Sequence, residues 1–264
     1  MPSDTRLAFR PLGGPTALLE IGAARLLTDP TFDSPRSYES ASGARLTKVT
    51  GPALPAGEVG RIDAVLLSHD HHFDNFDAAG RELARSVPVV VTTASGAERI
   101  GGGATGLAEW QSIEVDGGDG RTLSITAVPA QHGPSDSAHL MGDVIGFVVE
   151  ARGVPTIYVS GDNASVEVVR DIGERFPAID VAVLFAGGAR TPTLGDAYLT
   201  LSNEMAVDAA RVLGARAVLP VHTDGWAHFS DDGPSLRRAF EASGLGEVLV
   251  MPPPGERAVL DLQP

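Results

Sequence analysis

Apolar residues recur along this chain in two patterns. Short runs and alternations bounded by Gly, Pro, Asp and Asn predict strands. They fall at Thr16 to Ile21, Arg25 to Thr28, Asp63 to Ser68, Val89 to Val91, Thr122 to Val128, Val144 to Glu150, Thr156 to Ser160, Val181 to Phe185, Ala217 to Val221, Val248 to Met251 and Arg257 to Leu262. Val89-Val90-Val91 is continuously apolar, as suits a strand buried on both faces. A helical period begins at Asp77, with Ala78, Leu83 and Ala84 as a small apolar side. Asn163 can cap a helix carrying Val166, Val169, Ile172 and Phe176. Ser202 can cap another carrying Met205, Ala209, Val212 and Leu213, which Gly214 stops. Pro234 starts the last, with Leu236 and Phe240 inward. Residues 31–60 hold Pro, Ser and Gly without a period and predict a long loop, of the kind that serves as a lid or binding element. Arg36, Tyr38, Arg45 and Lys48 lie in it and could meet an anionic substrate. The alternation of strand and helix predicts an α/β fold with helices outside sheets. No linker or repeat interrupts residues 1–264, which read as a single domain built from two halves, about 1–150 and 151–264.

Composition narrows the function. With 264 residues, 43% of them hydrophobic, the chain can bury a large core. Nothing approaches the ~18 consecutive apolar residues of a membrane span. The opening residues show no basic region leading into an apolar one, so the expected location is the cytoplasm. There is no cysteine, which excludes disulfides, a thiol nucleophile and thiolate ligands; any metal must be held by nitrogen and oxygen. A net charge of −14 argues against nucleic acid, whose phosphates need a basic face, and weakly against an anionic membrane. A small-molecule substrate is the partner left, and a homo-oligomer is compatible with it.

The chemistry lies at strand ends. After the strand closing at Leu67 come His69, Asp70, His71, His72, Asp74 and Asn75, in a chain with only seven histidines. Imidazole and carboxylate are the ligands that suit zinc, manganese or iron. A loop at a strand end lets a rigid scaffold aim such groups at one point. His132 follows a strand in a Pro/Gly setting, Asp162 follows Gly161, and His222 ends another strand. Asp29, before Pro30, is either a turn former or an acid reaching a neighbouring site. His139 lies in the loop after His132 and reads either as a pocket residue or, the favoured reading, as a surface one.

The segments LLTDP, LLSHDHHFDNFD, VPAQHG, VSGDN and LPVH, in that order, resemble the metallo-β-lactamase superfamily, and more narrowly its lactonase-like branch related to L-ascorbate-6-phosphate lactonase. The resemblance runs from Asp29 to His222. It implies a four-layer αββα sandwich with one or two divalent metals, zinc or manganese, at one edge of the sheets. It implies that His132 binds one metal, His222 the other and Asp162 both. Asp74 would ligate the second metal and orient the attacking water, and His72 joins it as a candidate catalytic residue. The first motif departs from the usual H-x-H-x-D-H. Anchoring on His69 and His71 leaves one extra residue before Asp74. Anchoring on Asp74 keeps the spacing, puts Asp70 and His72 in the histidine places, and is preferred because a slip would re-aim a tight turn. Asn75 replaces the last histidine, so the second metal loses a nitrogen ligand. The function expected is hydrolysis of an ester, lactone, amide or phosphoester by metal-activated water. Backbone N–H groups around Gly187-Gly188 are candidates to stabilise the oxyanion, and Trp226 and His228 to line the pocket, His228 as a proton donor. The rival is a degenerate, non-catalytic binding protein that keeps the fold with a weakened metal site.

Overall fold

The computed structural model describes residues 6–39 and 45–262. In chain order the elements are β1 (Leu7–Gly13), β2 (Thr16–Ile21), β3 (Ala24–Thr28), β4 (Arg36–Glu39), β5 (Arg45–Lys48), β6 (Ala64–Leu66), α1 (Ala78–Ala84), β7 (Val89–Thr93), α2 (Ala94–Ile100), β8 (Thr105–Leu107), β9 (Ser112–Asp116), β10 (Thr122–Pro129), α3 (Ala138–Met141), β11 (Ile145–Glu150), β12 (Thr156–Val159), α4 (Val166–Arg175), β13 (Ile179–Phe185), α5 (Asn203–Leu213), β14 (Ala217–Val221), α6 (Gly233–Ala242) and β15 (Ala258–Leu260). One sheet runs β15-β1-β2-β3-β6-β7-β8 and the other β14-β13-β12-β11-β10-β9; β4 and β5 form a separate hairpin.

Strand periodicity assigns the layers. Alternate residues point to opposite faces of a sheet. Ala64 and Leu66 of β6 enter the central core, while Val65 and Leu67 face the other way, with Phe76 and Ala84. In β13, Val181, Val183 and Phe185 enter the same central core; Ala182 and Leu184 pack with α4, α5 and α6 through Val169, Ile172, Ala206, Ala210, Leu236 and Phe240. Both faces of each central strand are therefore covered, which is why these strands read as unbroken apolar runs. The result is helices, sheet, sheet, helices: a four-layer αββα sandwich.

Several elements differ from the sequence reading. β1 was not predicted, because Pro11 interrupts its pattern; β15 pairs with it only from Leu7 to Phe9, so Pro11 has no ladder on that side. Part of the expected loop 31–60 is the β4–β5 hairpin. Val248 to Met251 is not a strand. A short 3₁₀ turn covers Gly246–Val248, only Leu249 bridges β14, and the following Pro252, Pro253 and Pro254 cannot donate to a ladder. The cap of α4 is Ser165, not Asn163. Ser202 caps α5 and Gly214 ends it in the left-handed conformation, as expected. The chain changes sheets between β8 and β9, and β11 and β12, on either side of residue 150, are neighbours in one sheet. No helix among the described residues is long and apolar enough to cross a membrane.

Candidate metal centre

β3, β6 and β7 are mutually parallel, and so are β12, β13 and β14. Their carboxyl ends deliver polar residues to one rim, the usual place for sites in α/β folds. The backbone there is bent hard. Gly161 sits at φ 57°, and a Cβ on it would lie 2.6 Å from the Ile145 carbonyl oxygen. His222 itself holds φ 59°, sparsely populated for a non-glycine residue. Its N–H donates to the Gly14 carbonyl at 2.6 Å. Gly187 lets β13 close on this turn: a Cβ there would stand 1.9 Å from the His222 carbonyl oxygen.

His69, His72, His132 and Asp162 converge, each offering one donor atom within 4.8 Å of the others. The His72 Nδ1 lies 2.9 Å from His69 Nε2 and 3.3 Å from His132 Nε2. Asp162 Oδ2 is 3.6 Å from His132 Nε2 and 3.9 Å from His69 Nε2. A second group is Asp74, Asp162 and His222. His222 Nε2 lies 3.4 Å from Asp74 Oδ2 and 3.7 Å from Asp162 Oδ1. Both ring nitrogens of this fully buried imidazole lack a hydrogen-bond partner. An unpaired buried polar atom is costly, and a cation between His222, Asp74 and Asp162 would satisfy it. The donor set therefore fits one or two divalent ions, with Asp162 common to both groups.

Electrostatics point the same way. Burial first, and the neighbouring imidazoles next, push His69 well below its usual range and His72 to about 4; burial brings His132 also to about 4. All three are neutral near pH 7 and present lone pairs, the state ligation requires. Burial would raise Asp74, but the imidazoles of His228 and His222 outweigh it and hold its carboxyl well below the usual range. Asp162 goes the other way. Burial, reinforced by the Asp74 and Asp29 carboxylates and opposed by His222, raises it to about 7.

A second ring of residues aims the first. His132 Nδ1 donates to the Leu199 carbonyl at 2.8 Å, which leaves Nε2 facing inward. Asp29 receives the Ser68 N–H at 2.7 Å and the Ser68 hydroxyl, and that hydroxyl lies 2.9 Å from His69 Nδ1. Asp29 thus reaches the centre through Ser68. Asn75 Nδ2 donates to Asp29 at 2.8 Å and to Asp162 at 3.2 Å. It orients the carboxylate common to both groups.

The turn after β6 follows neither anchoring of the first motif. His69 comes from one and His72 from the other. Asp70 turns away and makes a bidentate pair with Arg99, at 2.7 and 3.0 Å. His71 is half-exposed over Gly142, 3.8 Å from Asp70. The structure brings neither into the cluster: the extra residue is absorbed by rotating Asp70 and His71 outward together. His139 is exposed, as expected. The Gly188 N–H donates to Leu201, so it is not available to an oxyanion. His228, the candidate proton donor, has its Nε2 3.0 Å from Asp74 Oδ2. Of the loop cations, Lys48 is buried against Asp77 at 3.0 Å, while Tyr38 is buried with its hydroxyl donating to Asp33. Arg36 stacks on the Tyr38 ring. Of these four loop residues, Arg45 alone lines the cavity over the centre.

The family model for the beta-lactamase superfamily domain matches residues 24–223. The chain is 32% identical over 200 residues to a UPF0173 metal-dependent hydrolase of Methanosphaerula palustris, covering 73% of this chain and 83% of the relative. Among solved structures, a possible metal-dependent hydrolase from Veillonella parvula superposes with a TM-score of 0.81 at 20% identity, over 96% of this chain and 99% of that one. An isothiocyanate hydrolase from Delia radicum gut bacteria does so at 0.79 and 22%, over 95% and 98%. At such identities the structural likeness speaks for the fold.

Proposed function

The chain belongs to the beta-lactamase superfamily and, within it, to the UPF0173 metal-dependent hydrolases; from that premise we propose that it hydrolyses a small-molecule ester, lactone or phosphoester. His69, His72, His132 and Asp162 would hold one divalent ion, and Asp74, Asp162 and His222 would hold a second. Zinc or manganese suits a donor set of imidazoles and carboxylates without sulfur. The second position has one nitrogen against two carboxylates, so it favours the harder ion. A divalent ion here supplies hydroxide at neutral pH by lowering the pKa of bound water to about 7. The protein's own groups do the rest. Asp74, kept ionised by His228 and His222, accepts a hydrogen bond from the attacking water and fixes its direction. His72, neutral and facing the cavity, completes the wall on which the reacting group rests.

What supports this reading is the unpartnered Nε2 of buried His222, which lies within 3.4 Å of Asp74 and 3.7 Å of Asp162 with no hydrogen bond to either. The test is bound-metal stoichiometry by elemental analysis, with turnover of a panel of lactones, esters and phosphodiesters before and after chelation. Retained metal is expected, with turnover abolished by chelation and by Asp162→Asn. A chain that holds no metal and hydrolyses nothing would be the non-catalytic binding protein instead.

A further inference from the structure

Above the centre lies a cavity of about 590 Å³, a size suited to a small ligand. His72, Asp74, His132 and Asp162 form its floor; Leu46, Leu140, Met141, Pro192 and Leu199 contribute apolar walls. Two cations stand among them, Arg45 and Arg190. The two carboxylates of the lining, Asp74 and Asp162, both lie on the floor among the proposed metal ligands, and no ion pair among the described residues joins either to an arginine.

We infer that Arg190 and Arg45 form an anion-recognising rim, so that the substrate is a small molecule whose apolar body carries a carboxylate or phosphate remote from the bond cleaved. The inference rests on the hydrolase reading above and adds the substrate class. Arg190 is pre-positioned. Its backbone N–H donates to the His228 carbonyl at 3.2 Å, and its guanidinium lies over the Tyr198 ring at 4.1 Å. Its Nε is buried with no acceptor. The only carboxylate paired with it among the described residues is Asp196, 4.0 Å away and fully exposed, which neutralises little. A planar, pre-ordered guanidinium whose charge is little neutralised within the chain is what carboxylate or phosphate recognition needs. Arg45 takes part in none of the ion pairs found among the described residues, unlike Arg25, Arg99 and Arg216, which hold Glu20, Asp70 and Asp180. Its strand β5 is pinned beside the site. The Val49 N–H donates to Gly225 and the Ala227 N–H to Thr47, and Lys48 bridges Trp226. The hairpin is thereby registered on the segment leading into His228.

The test uses the metal-loaded full chain. Inorganic phosphate and butyrate are titrated by calorimetry into wild type, Arg190→Gln, Arg190→Lys and the double variant Arg45→Gln/Arg190→Gln, with metal content and near-ultraviolet dichroism checked in each. Hydrolysis is measured on ester pairs that differ only in a terminal carboxylate or phosphate against its neutral methyl ester. The expected result is a loss of anion affinity of about tenfold to a hundredfold in Arg190→Gln, with part of it regained in Arg190→Lys. The same factor should appear in KM for the charged substrate, well above the change for its neutral twin. The tighter of the two probes names the group. Equal anion affinity in wild type and double variant, or equal loss on charged and neutral substrates, overturns the rim and leaves the hydrolase standing. A difference in anion affinity with no turnover of any substrate keeps the rim and removes the hydrolase.

Discussion

Asn75 stands where the resembled motif has its last histidine, and its amide does what an imidazole there would not. By donating to both Asp29 and Asp162 it ties the strand-end acid of one sheet to the carboxylate of the other. Removing it should therefore loosen the centre without touching a proposed ligand. Asn75→Ala is expected to lower metal affinity by about tenfold to a hundredfold, measured by competition with a chromogenic chelator. Asp162 makes a second prediction. Without metal it titrates at about 7, raised first by burial, so below that pH its proton must leave before the carboxylate can ligate. His72 and His132, at about 4, have already lost theirs. Metal affinity should rise with pH up to about 7 and level off above it. Calorimetry in buffers of different protonation enthalpy should show proton release below that point and its disappearance above. Affinity that stays flat from about pH 5 to 8 would remove Asp162 from the ligand set. Residue types and strand-end placement pointed in sequence to His69, His132, Asp162 and His222, which the structure brings together. The rotation that sends Asp70 and His71 outward was not legible there, because it depends on Arg99 of α2 and on Gly142, which sequence spacing does not relate to that turn.

The β4–β5 hairpin shows why one element escaped sequence reading. RSYE and RLTK are too polar to announce strands. They are strands because β5 finds a partner at residues 225–227, and because Lys48, the chain's only lysine, buries itself against Asp77 with Trp226 5.5 Å from its ammonium. Asp77 in turn caps α1 and receives the N–H groups of Phe32 and Asp33. Lys48→Met would leave that carboxylate buried without its cation, which costs about 3–5 kcal/mol. Urea unfolding should show the loss as a lower midpoint. Gly80 probes the neighbouring joint. A Cβ there would lie 1.8 Å from the Pro30 carbonyl oxygen, so α1 would have to lift off the Asp29-Pro30 turn. Gly80→Ala should cost about 1–3 kcal/mol by overpacking, although alanine is the better helix former in isolation. A stabilised Gly80→Ala variant would show that α1 docks less tightly than this contact implies.

The fold was legible because motif order and strand alternation agree: strands that bury both faces need helices on both outer sides, and their polar ends then collect at one rim. What order could not show is where the sheets exchange. β15 returns from the far end of the chain to pair with β1, so the first sheet is completed only by residues 258–260. Both sheets share one apolar layer, in which Leu26 and Leu66 meet the side of Phe147, Val183 and Leu219. Neither sheet can leave without exposing the inner face of the other, and we propose that residues 1–264 unfold as one unit rather than as two halves. The proposed ligands divide along the same line: His69, His72 and Asp74 follow β6 of the first sheet, while His132, Asp162 and His222 follow β10, β12 and β14 of the second. An ion held by both sets binds only when the sheets are together, so its binding energy adds to the stability of the whole, by about 2.7 kcal/mol at a free concentration a hundred times Kd. Tryptophan fluorescence reports Trp110 and Trp226, which flank the second sheet and the hairpin; far-ultraviolet dichroism reports every strand and helix. The two urea transitions should superimpose, and chelation should move both to lower urea by the same amount. Transitions that separate, or a chelator shift seen by one probe alone, would mean that the metal belongs to one half and that the halves fold apart.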